Sequence, residues 1–116
     1  MICLLYGEDE YLRNEYLKKI KKEFGEIQLG INYVQVDENN VSNIISNIET
    51  PAFGFPSKLI IAKDTGLFKK KNALADALSD YLKTANLEGV ELVFVEIAPE
   101  KNSLFNTISK IGEVKE

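Results

Sequence analysis

The chain begins MICLLYGEDEYL (residues 1–12), where a short apolar run is followed by one glycine, three acidic residues and a helical pattern. The apolar run at residues 2–6 is typical of a strand that is buried on both faces of a parallel sheet. Asp9 is placed to cap the helix that follows. The apolar face of that helix is predicted to carry Leu12, Tyr16, Ile20 and Phe24. Nucleotide-binding α/β proteins place their phosphate loop at this point, directly after the first strand.

The residues that would hold a phosphate are missing from this loop. A phosphate loop needs several small residues, a lysine for the outer phosphates and a hydroxyl for the magnesium ion. Here Glu8, Asp9 and Glu10 would repel phosphates, and the first lysine after the loop is Lys18. The sequence therefore predicts a fold of the P-loop type with a degenerate phosphate loop. We expect no cofactor, no metal ion and no ATP hydrolysis.

Composition narrows the class of protein. A chain of 116 residues is one domain, and its 45% hydrophobic share is ordinary for a globular protein. Its net charge of −4 and the absence of a basic half argue against direct binding of duplex DNA. The chain has no apolar run long enough to cross a membrane and no signal-peptide pattern. We therefore expect a cytoplasmic protein with no membrane partner.

The sequence offers few groups for catalysis. It contains no histidine, which removes the commonest general base and the usual transition-metal ligand. Its single cysteine, Cys3, lies inside the first predicted strand. A buried, inert thiol in a reducing cytoplasm is the interpretation that this position favours.

Strand and helix patterns alternate along the whole chain. Strands are predicted at residues 33–37, 58–62 and 90–97, with the beginning of a fifth at 113–116. Apolar stripes predict helices at Val41, Ile44, Ile45 and Ile48; at Leu74, Leu78, Tyr81, Leu82 and Ala85; and at Leu104, Phe105, Ile108 and Ile111. Asn40 is the predicted cap of the first of these, and Gly112 the stop of the last. This order predicts a three-layer α/β domain with a mostly parallel five-stranded sheet and right-handed crossovers.

The segment ETPAFGFPSK (residues 49–58) is an unusual connection, because it has two aromatic residues among two prolines and a glycine. Pro51 should end the preceding helix at about Thr50, and Pro56 restricts Phe55 to extended conformations. A rigid loop that presents Phe53 and Phe55 suits insertion into an apolar pocket of a partner, where one anchor contributes about 2 kcal/mol. The alternative is that the rings fold back onto the domain's own core.

Three other segments are weaker candidates. Asp64 follows an apolar strand, where a nucleotide hydrolase holds magnesium, but without a phosphate loop we expect it to be solvated or to cap a turn. The run at residues 18–22 is interrupted by Ile20 and is expected to be a solvated helix face. The run at residues 69–71 is expected to be a solubilising loop.

Two segments together resemble the delta subunit of the bacterial DNA polymerase III clamp loader. The first is YGEDEYL (residues 6–12), at the end of the first strand; the second is ETPAFGF (residues 49–55), before KLII (residues 58–61) in the third strand. The spacing of the strands between the two segments adds to the resemblance. The resemblance covers essentially all 116 residues but only the N-terminal domain of that family, which continues into a small helical domain and a collar domain. It implies that residues 1–116 are an AAA+-like domain of a longer chain, in keeping with an ending on a nascent strand.

The resemblance also implies a function. Delta subunits have the fold of an AAA+ ATPase module but neither bind nor hydrolyse ATP. They dock on the ring-shaped sliding clamp (the beta subunit) and help to open it, contact other loader subunits through the domains absent here, and meet DNA only indirectly. The family's docking element is an apolar pair before the third strand. Counting back from Leu59 places this pair on Ala52 and Phe53. Because family members often carry a larger aliphatic residue than Ala52, Phe55 and Pro51 join the predicted clamp-binding residues.

Other classes of protein remain open at this point. A receiver-type phosphoacceptor domain fits the length and the acids Glu8, Asp9 and Asp64, but the proline-glycine loop expected after Asp64 and the hydroxyl expected after the fourth strand are missing. An active nucleotide hydrolase is disfavoured by the first loop. A general α/β interaction module is the remaining alternative.

Overall fold

The computed structural model describes residues 1–70 and 72–116, and in these residues five parallel strands form one sheet in the order β2-β3-β4-β1-β5. The strands are β1 (Ile2–Tyr6), β2 (Tyr33–Val36), β3 (Lys58–Lys63), β4 (Val90–Glu96) and β5 (Glu113–Lys115). The helices are α1 (Glu10–Phe24), α2 (Ile44–Glu49, preceded by a 3-10 turn at Val41–Asn43), α3 (Ala73–Thr84) and α4 (Ser103–Ile111). The predicted α/β class and the parallel sheet are confirmed.

Short polar side chains fix where three of the helices begin. The side-chain oxygens of Asp9, Asn72 and Asn102 each accept a hydrogen bond from the backbone N–H three residues later, at 3.0–3.1 Å. Each bond satisfies one of the N–H groups that the first turn of a helix leaves without a partner. The prediction for Asn40 is wrong in this respect, because its side chain accepts from the N–H of Asp37 instead and caps no helix.

The helices cover both faces of the sheet, which confirms the three predicted layers. On one face α1 packs over the buried residues Cys3, Leu59 and Val93. On the other face α2, α3 and α4 enclose the larger core, whose largest fully buried side chain is Phe94. The strands β1, β3 and β4 are therefore buried on both faces, which explains their continuous apolar runs, whereas the outer strand β2 exposes Gln35.

The core face of α1 differs from the predicted one. Leu17 is the buried residue of this helix, with Tyr16, Ile20 and Phe24 packed beside it, whereas Leu12 is 62% exposed. An open cleft of about 490 Å³ lies between Leu12 and the ends of β1 and β5, so Leu12 does not pack against these strands. The first turn of α1 therefore contributes no core contact.

Two smaller predictions are confirmed. Cys3 is 1% exposed, and burial raises the pKa of its thiol to about 11, which keeps it protonated and unreactive. Gly112 ends α4 at a close approach to β1, where a Cβ atom would overlap the carbonyl oxygen of Ile2. In the part of the chain that the structure describes, no helix is both long and apolar enough to cross a membrane.

Candidate docking site

The connection between α2 and β3 places one aromatic ring in solvent. Phe53 is 76% exposed, and Phe55 is half-buried. Ala52 is also half-buried, and Pro51 is exposed. The structure therefore places all four predicted clamp-binding residues in one loop, residues 50–57, which we call the docking loop. The two rings do not both fold onto the core.

A tight turn holds Phe53 at the tip of the docking loop. The N–H of Phe55 donates to the carbonyl oxygen of Ala52 at 2.9 Å, which closes a four-residue turn. Gly54, at the third position of this turn, has φ +86°, as the third residue of a type II turn requires. Phe53 is thus at the second position of the turn, and its side chain points into solvent. α2 ends at Glu49, so this residue stands beyond the helix rather than on it.

Lys58 fixes both ends of the docking loop, a role that no sequence pattern predicted. The side chain is buried, with 5% of its surface exposed, and its Nζ donates to the carbonyl oxygens of Asn47 at 2.7 Å and Thr50 at 3.1 Å. These carbonyls belong to the C-terminal end of α2, where the helix offers no partners of its own. The backbone N–H of Lys58 donates to Gly89 at 2.8 Å. The signal that could have found Lys58 is a charged residue that opens an otherwise apolar strand.

Burial has a cost at Lys58. It lowers the pKa of the ammonium group from its ordinary value, because the charged form loses water. The two carbonyl oxygens replace part of that lost hydration. The ammonium group of Lys58 therefore links the start of β3 to the end of α2. The docking loop connects these same two points along the chain.

A groove of about 690 Å³ runs beneath the docking loop. Pro51, Ala52 and Phe55 line one wall, while Tyr81 and Glu88, from α3 and the turn after it, line the other. The side chain of Ala52 faces this space, so a larger aliphatic side chain has room there. The groove thus lies between the docking loop and the C-terminal end of α3.

The degenerate phosphate loop lies at the opposite edge of the sheet. The N–H of Gly7 is directed at the carbonyl oxygens of Glu96 and Ile97, 3.3 and 3.2 Å away, and Glu8 and Asp9 are exposed. The N–H group that would face a phosphate thus points at carbonyl oxygens of the domain itself. Asp64 is exposed, as predicted, and has φ +51° in the turn after β3. Lys69 and Lys70 are exposed, while Lys71 lies outside the described residues.

Glu96 ends β4 at this same edge and has an unusual environment. Its Oε2 accepts a hydrogen bond from the N–H of Thr65 at 3.3 Å. Burial is the main cause that raises the pKa of Glu96 to about 7; the carboxylate of Asp64 adds to the shift, and Lys69 opposes it. In residues 1–70 and 72–116 no three acidic or cysteine side chains are grouped so that they could hold a metal ion.

Comparison with known proteins identifies the family. Residues 3–114 match the family model described as DNA polymerase III, delta subunit. The chain belongs to this delta subunit family. The expected resemblance is therefore confirmed, and the protein is a relative of clamp-loader components. The comparison with curated protein sequences finds no match.

Two solved structures share the fold of this delta-family domain. The DNA clamp loader delta protein of Bacillus subtilis has a TM-score of 0.72 and 18% identity, over 99% of this chain and 38% of that one. A DNA polymerase III gamma subunit-related protein from Thermotoga maritima has a TM-score of 0.68 and 16% identity, over 100% of this chain and 40% of that one. At these identities the likeness shows the fold alone, which is the predicted α/β fold with a five-stranded parallel sheet. The chain spans about two fifths of the length of these relatives.

The strand order excludes the receiver-type alternative. Receiver domains have the doubly wound order 2-1-3-4-5, in which the first strand lies beside the second. In the delta-family domain β1 lies between β4 and β5, and β2 pairs with β3. The chain is therefore not a receiver domain.

The contacts of Lys58 give a first prediction. Lys58→Met should lower the free energy of unfolding by about 1–3 kcal/mol, because the carbonyl oxygens of Asn47 and Thr50 lose a buried donor. Urea unfolding followed by circular dichroism measures the change. Lys63→Met, at the other and more exposed end of β3, is the matched control and should behave like the wild type. Equal stability of the two variants would contradict the bridging role.

The environment of Glu96 gives a second prediction, on pH. Because folding raises the pKa of Glu96 from 4.5 to about 7, the folded state binds this proton more tightly than the unfolded state does. The contribution of Glu96 to the free energy of unfolding is therefore lost as the pH rises from about 4.5 to about 7.

Glu96→Gln is neutral at every pH and should show a smaller loss of stability between the two ends of this range. Urea unfolding near pH 5 and near pH 8 measures it. Glu100→Gln, which changes an exposed carboxyl group, is the control. An unchanged pH dependence in Glu96→Gln would show that the carboxyl group is not perturbed.

Proposed function

We propose that this delta-family domain docks on the ring-shaped sliding clamp through the docking loop and helps to open the ring. The observation that carries the proposal is the 76% exposure of Phe53 on a loop that is fixed at both ends. A stable monomer gains nothing from holding an aromatic ring rigidly in water. Insertion into an apolar pocket of a partner would remove the exposed ring of Phe53 from water, and the fixed loop loses little conformational entropy on binding.

The proposed role is mechanical and not catalytic. A clamp interface opens when the loader binds the open ring more tightly than the closed one, since a ligand shifts an equilibrium only by its difference in affinity. Phe53 would hold one clamp subunit while the rigid sheet behind it carries the rest of the domain against the neighbouring surface. Energy for the cycle would come from ATP bound to other loader subunits. The acidic residues of the first loop support the proposal that this chain neither binds nor hydrolyses ATP.

The proposal extends to the whole protein. Residues 1–116 would be its N-terminal domain, with a helical lid domain and a collar domain beyond them that contact the other loader subunits. Its length relative to the two solved relatives supports this arrangement. The protein would meet DNA only through the assembled loader, and it would work in the cytoplasm without a membrane partner.

Phe53→Ala tests the docking role directly. Burying most of a phenylalanine side chain is worth about 2 kcal/mol, so the substitution should weaken binding to the sliding clamp of the same organism by about 30-fold. Isothermal titration calorimetry with the full-length protein measures the affinity, and thermal unfolding confirms that the variant is folded.

The matched control is Tyr11→Ala. Tyr11 is an aromatic residue of similar exposure, 69%, on the first turn of α1 at the other edge of the sheet. Its removal should leave clamp affinity unchanged. Wild-type protein that fails to bind the clamp would overturn the docking role. Wild-type affinity in Phe53→Ala would mean that the docking loop is not the contact.

Ala52→Leu tests the pairing of Ala52 with Phe53. Ala52 is half-buried beside the groove, which has room for a larger side chain. If the clamp pocket receives both residues, added apolar area should tighten binding by up to about tenfold. The control Ala77→Leu makes the same change on the exposed face of α3. No gain in affinity, or a loss, would show that Ala52 does not enter the clamp pocket beside Phe53.

A further inference from the structure

A second loop exposes apolar side chains at the same edge of the sheet as the docking loop. Residues 25–32 connect α1 to β2, as the docking loop connects α2 to β3. Because the strands are parallel, both loops lie on the side of the sheet where the strands begin, which we call its amino edge. β2 and β3 are neighbours with Tyr33 opposite Leu59, so the two loops join strands that lie about 5 Å apart.

The second loop is held in one conformation by Asn32. This residue is 1% exposed; its Oδ1 accepts from the N–H of Gln28 at 2.6 Å, and its Nδ2 donates to the carbonyl oxygen of Glu26 at 2.7 Å. Its own carbonyl oxygen accepts from the N–H of Leu59 at 2.7 Å, which ties the loop to β3. The loop is therefore a built element of the fold and is attached to the strand that follows the docking loop.

This loop divides its apolar residues between the core and the solvent. Ile27 packs against the buried cluster beneath α1. Leu29 and Ile31 are 69% and 42% exposed. A loop fixed by a buried asparagine cannot fold these two side chains inward, so their exposure is part of the native structure. Two branched apolar side chains on a rigid loop are suited to an apolar contact with another protein.

We propose that Leu29 and Ile31 form a second contact with the sliding clamp, beside the contact made by Phe53. The inference rests on the proposed function of the docking loop. A partner that receives Phe53 must approach the amino edge, and a stable interface covers about 800 Å² on each side. One turn of a loop supplies only part of that area. The domain measures 38 × 32 × 27 Å, so a footprint of this size extends from the docking loop onto neighbouring loops.

A second contact also has a mechanical consequence. A single side chain in a pocket leaves the domain free to rotate about that point. Contact at Leu29 and Ile31, on a loop joined to a neighbouring strand, fixes the orientation of the domain on the clamp. A domain held at two points can also transmit a torque to the clamp, which a single anchor that allows free rotation cannot do.

The test is the double substitution Leu29→Ala with Ile31→Ala in the full-length protein. We expect the affinity for the sliding clamp of the same organism, measured by calorimetry, to fall by about three- to tenfold. The matched control is Leu12→Ala with Ile97→Ala. It removes the same two residue types at comparable exposures, 62% and 49%, from the opposite edge of the sheet, and should bind like the wild type. Thermal unfolding should be nearly unchanged in both.

Each outcome separates this inference from the proposed function. Weaker binding by the Leu29 and Ile31 double variant, with Phe53→Ala also weak, supports both contacts. Wild-type affinity in the double variant, with Phe53→Ala weak, overturns the second contact and leaves the docking loop in place. A photo-crosslinking amino acid at position 29 should label the clamp, and one at position 12 should not; labelling from position 12 alone would overturn the second contact.

Discussion

Parallel pairing of the strands is the constraint on which the rest of this structure depends. Each crossover must carry the chain from the carboxyl edge of the sheet back to the amino edge before the next strand begins. Loops that follow strands therefore collect at one edge, and loops that precede strands collect at the other. The degenerate phosphate loop and Glu96 belong to the first group, and the docking loop belongs to the second. The degenerate phosphate loop and the proposed protein contact are therefore separated by the length of the strands.

The ammonium group of Lys58 shows how the docking loop is kept rigid without a core of its own. Here one buried side chain joins the end of α2 to the start of β3 through two carbonyl oxygens. The closed turn at Gly54 then determines where the tip points. A few hydrogen bonds therefore hold the loop in place, and Phe53 stays exposed and able to contact a partner.

Local patterns predicted the elements well, because apolar periodicity and caps such as Asp9 are properties of neighbouring residues. They also singled out the loop that carries Phe53, although they left its exposure open. They failed where distant residues decide the outcome. Leu12 has helical spacing but no strand residue to pack against, Lys58 contacts residues 8 and 11 positions away, and Glu96 receives its hydrogen bond from Thr65, 31 positions away. Apolar periodicity and capping patterns carry no information about these side-chain contacts.

The backbone of the first loop has a consequence for redesign. At Gly7 the N–H points to carbonyl oxygens at the end of β4, so the amide is directed inward. Introducing small residues and a lysine would change the side chains and leave this amide where it is. Recovering a phosphate-binding loop would require a different backbone path between β1 and α1, which side-chain substitutions alone do not provide.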